Sequence, residues 1–193
     1  MRKINAALFI TLDGVVEAPG GEPTIPEYAR GWSMPYTDDE VGGVIGAAIN
    51  ASDAMLLGRK TYLDFAAYWP SVPEDDFFGG VMNNRTKYVV STTLTKAEWK
   101  NSHLIKGNLV EELNKLKQQP GKDISVVGSG TLVRSLLKAD LVDELQLMLC
   151  PVVLGVGKRL FDGADFMKAM QVLEIRSFSS GMTYLRLGPQ KQG

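Results

Sequence analysis

Two glycine-bearing segments, Gly58-Arg59-Lys60-Thr61-Tyr62 and Val126-Val127-Gly128-Ser129-Gly130-Thr131, have the residue types that hold an anion. Each follows a short apolar run, Ala54 to Leu57 or Ile124 to Val127, and each leads into a helical pattern, so both read as strand-to-helix turns. A helix N-terminus presents free N–H groups and the positive end of a dipole, and glycine lets a phosphate approach the backbone. Adjacent cations and a hydroxyl in the first segment suit a phosphate monoester; the second suits a pyrophosphate. Together they point to a phosphorylated dinucleotide at the carboxyl ends of the strands. The third glycine of a full G-x-G-x-x-G fingerprint is Val133 and the segment lies late in the chain, so an ordinary Rossmann domain is not expected. Glycine at either turn can also serve tight packing alone.

Trp32, Tyr36, Tyr62 and Trp69 could stack on a planar heterocycle, although loop aromatics more often pack the loop against the core. A single histidine, His103, and a single cysteine, Cys150, leave no metal-ligand cluster and no intrachain disulfide, which fits a reducing cytoplasm. Cys150 reads as a buried packing residue. Lys plus Arg total 21 against 22 for Asp plus Glu, without a basic run, which excludes the footprint of a nucleic-acid binder. No apolar stretch reaches the roughly 20 residues of a membrane helix, and the Ala6 to Ile10 block is too short for a secretory signal. The expected partner is a small molecule.

The elements that must position these residues are legible from periodicity. In 193 residues, 45% of them hydrophobic, one domain over 1–188 with a short polar tail at 189–193 is expected. Strands are read at 2–11, 54–57, 87–91, 103–106, 124–127 and 142–150, and a terminal hairpin pairs 172–178 with 182–187. Helices are read at about 38–50, from a Thr37/Glu40 capping-box spacing, at 59–68, from Asn108 onward, and after Gly130. The first-turn acid Asp38 reads as stabilising its helix rather than as catalytic. Residues 12–37 and 69–85, rich in Pro and Gly, read as loops. This alternation predicts an α/β fold of three layers, a mostly parallel eight-stranded sheet with about four helices and a C-terminal antiparallel hairpin.

Thr11-Leu12-Asp13-Gly14, Gly58-Arg59-Lys60-Thr61-Tyr62, Val89-Val90-Ser91-Thr92, Val127-Gly128-Ser129-Gly130 and Leu141-Val142-Asp143-Glu144-Leu145 leading to Pro151 and Gly155 follow one another along nearly the whole chain. In that order they resemble the dihydrofolate reductase superfamily, and more closely the reductase domain of bifunctional riboflavin-biosynthesis deaminase-reductases. The resemblance implies a dihydrofolate reductase-like fold, frequently homodimeric, that binds NADPH. Arg59 would pair with the 2′-phosphate, helped by Ser91 or Thr92; Gly58, Lys60 and Thr61 would complete that site; Gly128, Ser129, Gly130 and Thr131 would hold the pyrophosphate. Asp13 and Glu144 are the acids it places nearest the cleft as catalytic groups. Trp32, Tyr36 and Trp69 are candidates for contact with the substrate on their loop position alone.

Two departures accompany the resemblance. Val15 stands where riboflavin-pathway reductases usually carry a lysine, and Asp38 falls one residue late after Trp32-Ser33-Met34-Pro35 for the folate reductases' carboxylate. Two function classes follow: an NADPH-dependent reductase acting on a pterin-like, pyrimidine-like or ring-opened ribosyl substrate, or a non-catalytic nucleotide-binding module on the same fold.

Overall fold

The computed structural model describes residues 1–190. Its elements are β1 (Ile4–Thr11), α1 (Asp39–Ala51), β2 (Ser52–Gly58), α2 (Arg59–Tyr68), α3 (Phe77–Asn84), β3 (Thr86–Val90), β4 (Ser102–Ile105), α4 (Leu109–Gln118), β5 (Asp123–Val127), α5 (Gly130–Lys138), β6 (Glu144–Cys150), β7 (Met170–Ser177) and β8 (Thr183–Pro189). The strands form one sheet in the order β4-β3-β2-β5-β1-β6-β8-β7. From β4 to β6 every pairing is parallel; β8 runs antiparallel to both β6 and β7.

Period-two alternation sends each strand's side chains to opposite faces, and the two faces are covered differently. On one, Ile4, Ala6, Leu8 and Ile10 of β1 join Leu56, Ile124, Val126, Leu145 and Leu147 beneath α4 and α5, whose Leu113, Leu116, Leu132, Val133, Leu136 and Leu137 close a continuous core. The other face is interrupted. Val41 of α1 and the 15–36 loop, with Ile25 and Trp32, pack on Met148, Cys150 and Tyr184. Separately, Tyr62 of α2 packs on Met55, Leu57, Val89 and Trp99. The middle strands between these clusters, β5 and β1, lie under an open cleft.

The eight strands and the C-terminal hairpin match the expectation. The described residues hold five α-helices instead of about four, because the segment read as a loop over 69–85 contains α3. Asp76 caps α3 by accepting a hydrogen bond from the Gly79 backbone (2.8 Å). Its glycines are there for close approach: a Cβ on Gly79 would lie 2.3 Å from the Pro73 carbonyl oxygen, and one on Gly80 2.6 Å from that of Glu74. Glycines that serve contact therefore mimic glycines that break a helix. The cap of α1 is also one residue later than the capping-box spacing indicated. Asp38 accepts from Val41 N (2.9 Å), while the Thr37 hydroxyl donates back to the Ser33 carbonyl (3.0 Å). At the C-terminus, Pro189 closes β8, and residues 191–193 of the expected polar tail lie outside the described residues.

Candidate functional site

The cleft encloses about 1360 Å³. Its floor is the interrupted sheet face, with Ala7 and Phe9 of β1, Ser125 and Val127 of β5, Gln146 and Met148 of β6 and Tyr184 of β8. One wall is α1 (Val44, Ile45, Ala48, Ile49), the opposite wall is α2 and the segment after it (Phe65, Trp69, Phe78, Met82), and the loop from Val16 to Thr24 forms the mouth. Both predicted turns open here: Gly58 to Thr61 and Gly128 to Thr131 all line the cleft.

These two turns are fastened to each other. The Ser129 hydroxyl accepts from Gly58 N (3.0 Å) and lies 2.8 Å from the Thr61 hydroxyl. The approach is close enough that a Cβ on Gly58 would sit 2.3 Å from Ser129 Oγ, and one on Gly128 3.0 Å from Thr61 Cγ2. Gly128 and Ser129 both adopt left-handed backbone (φ 59° and 56°), a conformation that disfavours serine and occurs mostly where the surroundings impose it. The clasp puts the starts of α2 and α5 side by side.

Helix capping separates these two helices from the rest. α1, α3 and α4 are capped by the side chains of Asp38, Asp76 and Asn108. α2 and α5 begin at Gly58 and Ser129 with no side-chain cap, so their first-turn N–H groups have neither an intrahelical nor a side-chain acceptor. Arg59, at the first position of α2, is exposed and makes no ion pair with any described residue. A carboxylate crosses the same region: Glu17 accepts from Lys158 N (3.0 Å) and pairs with Lys60 (3.3 Å) and Lys158 (3.7 Å). Burial pushes the Glu17 carboxyl up, but the Lys158 amide and the two ammonium groups outweigh it and leave the group lowered. Glycine-rich turns, uncapped helix starts, Arg59 and Lys60 fit a dinucleotide with an additional phosphate.

Other candidates are placed differently. Asp13 follows β1 at the cleft end of the sheet, but its carboxylate is fully engaged. It accepts from the Thr11 hydroxyl (2.7 Å), Leu154 N (3.2 Å), Gly155 N (2.9 Å) and Arg159 (3.3 Å). The Thr11 hydroxyl foremost, with the two amides, holds it well below the usual carboxylate range despite some desolvation. Glu144 is not brought to the cleft. It opens β6 at the amino end, about 20 Å along the strand from its carboxyl end, and pairs there with Lys3 (3.0 Å) and Arg186 (3.6 Å). Trp69 lines the cleft, edge-on to Phe65 and Tyr68. Trp32 is buried in the loop and donates its indole N–H to the Glu17 carbonyl (2.8 Å), while Tyr36 packs beside α1. Ser91 is buried and accepts from Thr93 N (3.2 Å) and Leu94 N (3.0 Å); Thr92 is exposed, and neither lines the cleft. Val15, in the position of the missing lysine, is fully buried and bridges to Arg159. Cys150 is buried as expected, its thiol pushed up to about 12 by burial.

Among the cleft residues not marked by the sequence are Glu17, Gln146 and Tyr184. Glu17 sits in a loop without periodicity and carried no signal. Gln146 did carry one, a polar residue between Leu145 and Leu147 in a strand that is apolar after its opening Glu144, on the face opposite those leucines.

The RibD C-terminal domain family matches residues 2–184. The uncharacterized protein YyaP of Bacillus subtilis is 33% identical over 187 residues, covering 95% of this chain and 93% of that protein. Among solved structures, a protein of Shewanella sp. PV-4 described under riboflavin biosynthesis superimposes with a TM-score of 0.77 at 21% identity, covering 98% of this chain and 99% of the other. The dihydrofolate reductase of Enterococcus faecalis, solved with NADP(H), gives 0.61 at 14% identity over 98% and 97%. The fold is therefore dihydrofolate reductase-like. Among the described residues no helix is long and apolar enough to cross a membrane.

Proposed function

The chain belongs to the RibD C-terminal domain family, and from that premise we propose that it is an NADPH-dependent reductase of a small heterocyclic or ring-opened ribosyl substrate. The observation that carries this reading is the pair of uncapped helix starts, clasped through Ser129 and flanked by the unpaired Arg59. Amides at the start of α5 would receive the pyrophosphate, and Arg59 with Lys60 the additional phosphate. When bound, the nicotinamide supplies a hydride; the chain's part is to hold donor and acceptor in contact and exclude water. Val44, Ile45 and Phe9 would shield that contact, and the Val16 to Thr24 loop would close the mouth.

Asp13 enters as an anion that fixes the chain beside the cleft, since a carboxyl held so low is no proton donor near neutrality. Asp13 and Glu144 thus both lack the setting of a general acid, which favours the second reading, a nucleotide-binding module without turnover. Titrating the protein with NADPH and NADH, and following nicotinamide emission, tests the shared premise. NADPH is expected to bind at least tenfold tighter than NADH, and Arg59→Ala to remove most of that difference. Equal weakening of both nucleotides would sink the role of Arg59, and binding of neither would sink both readings. Oxidation of NADPH across a panel of heterocycles then separates reductase from binding module. The homodimer implied by the resemblance belongs to the same proposal.

A further inference from the structure

Charge divides the cleft into two compartments. Its cations, Arg59, Lys60, Arg134, Lys158 and Arg159, lie at the glycine turns or on the segment tied to them: Lys60 and Lys158 share Glu17, and Arg134 donates to the Leu160 carbonyl next to Arg159. The compartment between α1 and the floor is different. Val44, Ile45 and Ala48 cover it, and Ala7, Phe9 and Met148 underlie it. The cation next to it, Arg186 directly across from Gln146, is already paired with Glu144 (3.6 Å) and Glu174 (3.3 Å). A phosphate ester carried into that space would lose its hydration without gaining a free counter-charge.

Two polar side chains on this floor are more than nine-tenths buried yet unpaired. Gln146 is 8% and Tyr184 6% exposed, and neither the carboxamide nor the phenol hydroxyl hydrogen-bonds to any described residue. Neither polar group is sealed in the core; both open onto the cleft, where a ligand's polar edge can take the place of water. They are diagonal neighbours, since Met148 is the residue opposite Tyr184 and Gln146 the one opposite Arg186, which brings the two side chains within about 8 Å. Gln146 also lies beside Ala7, whose small side chain leaves space over the floor for a flat ring. A carboxamide presents a donor and an acceptor together, the complement of the N–H/C=O edge of a ring amide.

We propose that the compartment between α1 and the sheet takes an uncharged planar heterocycle, bound through its amide edge by Gln146 and Tyr184, and rejects substrates that carry a phosphate ester. Calling this ligand a substrate rests on the reductase reading, whereas its binding preference does not. Lumiflavin, riboflavin and FMN share one amide-bearing fluorescent ring and differ in tail: methyl, ribityl and ribityl phosphate. With NADP⁺ saturating the glycine turns, lumiflavin is expected to bind at least tenfold tighter than FMN. Gln146→Met, a substitution of similar volume, is expected to weaken lumiflavin at least fivefold while NADP⁺ binding holds. FMN binding as tightly as lumiflavin, no saturable lumiflavin binding, or a Gln146→Met protein that binds it like wild type would each overturn the proposal. If NADP⁺ fails to bind in its own titration, the cofactor reading falls, and the same ranking with inorganic pyrophosphate filling the turns still decides this one.

Discussion

Asp13 and Lys87 are ionisable residues whose surroundings shift them in ways that stability measurements can read. Asp13 joins the end of β1 to Leu154, Gly155 and Arg159. Its folded carboxyl is lowered, so the stability it contributes is complete above the unfolded value near 4 and is lost as pH falls through and below it. Asp13→Asn should cost about 1–3 kcal/mol at pH 7 in urea unfolding, and the gap from wild type should shrink steadily below about pH 4. Lys87 is fully buried. Its ammonium donates to the carbonyls of Asn83 (3.1 Å), Arg85 (2.8 Å) and Lys100 (3.1 Å) and lies 4.1 Å from the centre of the Trp99 ring, with no carboxylate partner. Desolvation, with the nearby Lys100 charge, lowers it to about 8 from 10.5. Between those values the unfolded chain binds more protons than the folded one, so this group's contribution to stability rises with pH. Wild type should gain stability relative to Lys87→Met over that window; a flat difference would show that Lys87 does not titrate there. Neither residue's surroundings were legible in the chain, because apart from the Thr11 hydroxyl the partners of both are backbone groups or come from distant segments.

At the scale of elements, the clasp between the starts of α2 and α5 is the feature to break. Ser129→Ala removes the acceptor of Gly58 N and the partner of Thr61, and should destabilise the fold by about 1–2 kcal/mol while weakening NADPH severalfold. Asn108→Ala is the control, since it uncaps α4 while Asn108 itself, unlike the neighbouring Leu109, does not line the cleft. It should cost about 1 kcal/mol and leave nucleotide affinity unchanged; equal losses in both variants would mean that the clasp has no part in binding. The two turns themselves could be read from the sequence, because a short apolar run, glycine and a helical stripe are local signals. That Gly58 and Ser129 touch was not legible, as it depends on β2 and β5 being neighbours in the sheet. α3 was missed for a related reason: its glycines answer to the Pro73 and Glu74 carbonyls, a tertiary demand. Asp76 ahead of Phe77-Phe78 was the one local sign of a helix start.

For the whole molecule, the strand count and the hairpin followed from pattern, while the order of the strands and the division of one face into two clusters did not. The sheet ends at β7, where Val172, Leu173 and Ile175 are 55%, 40% and 63% exposed. Val172 and Ile175 lie opposite Leu187 and Leu185, on the side that α4 and α5 cover elsewhere. An unpaired edge strand with apolar side chains is a site for association. If the proposed homodimer forms there, sedimentation should give twice the 21.1 kDa chain mass, and Val172→Lys with Ile175→Lys should return it to one chain without altering NADPH binding. A dimer that survives both substitutions must use another surface.

The unequal covering of the sheet has an evolutionary corollary. Each central strand assigns folding to one side chain and recognition to the next: Leu145 and Leu147 belong to the continuous core, whereas Gln146 looks into the cleft. Selection can therefore revise what this floor accepts, one alternate residue at a time, without passing through the packing that keeps the chain folded. A scaffold wired in that way can diverge in substrate faster than it diverges in shape.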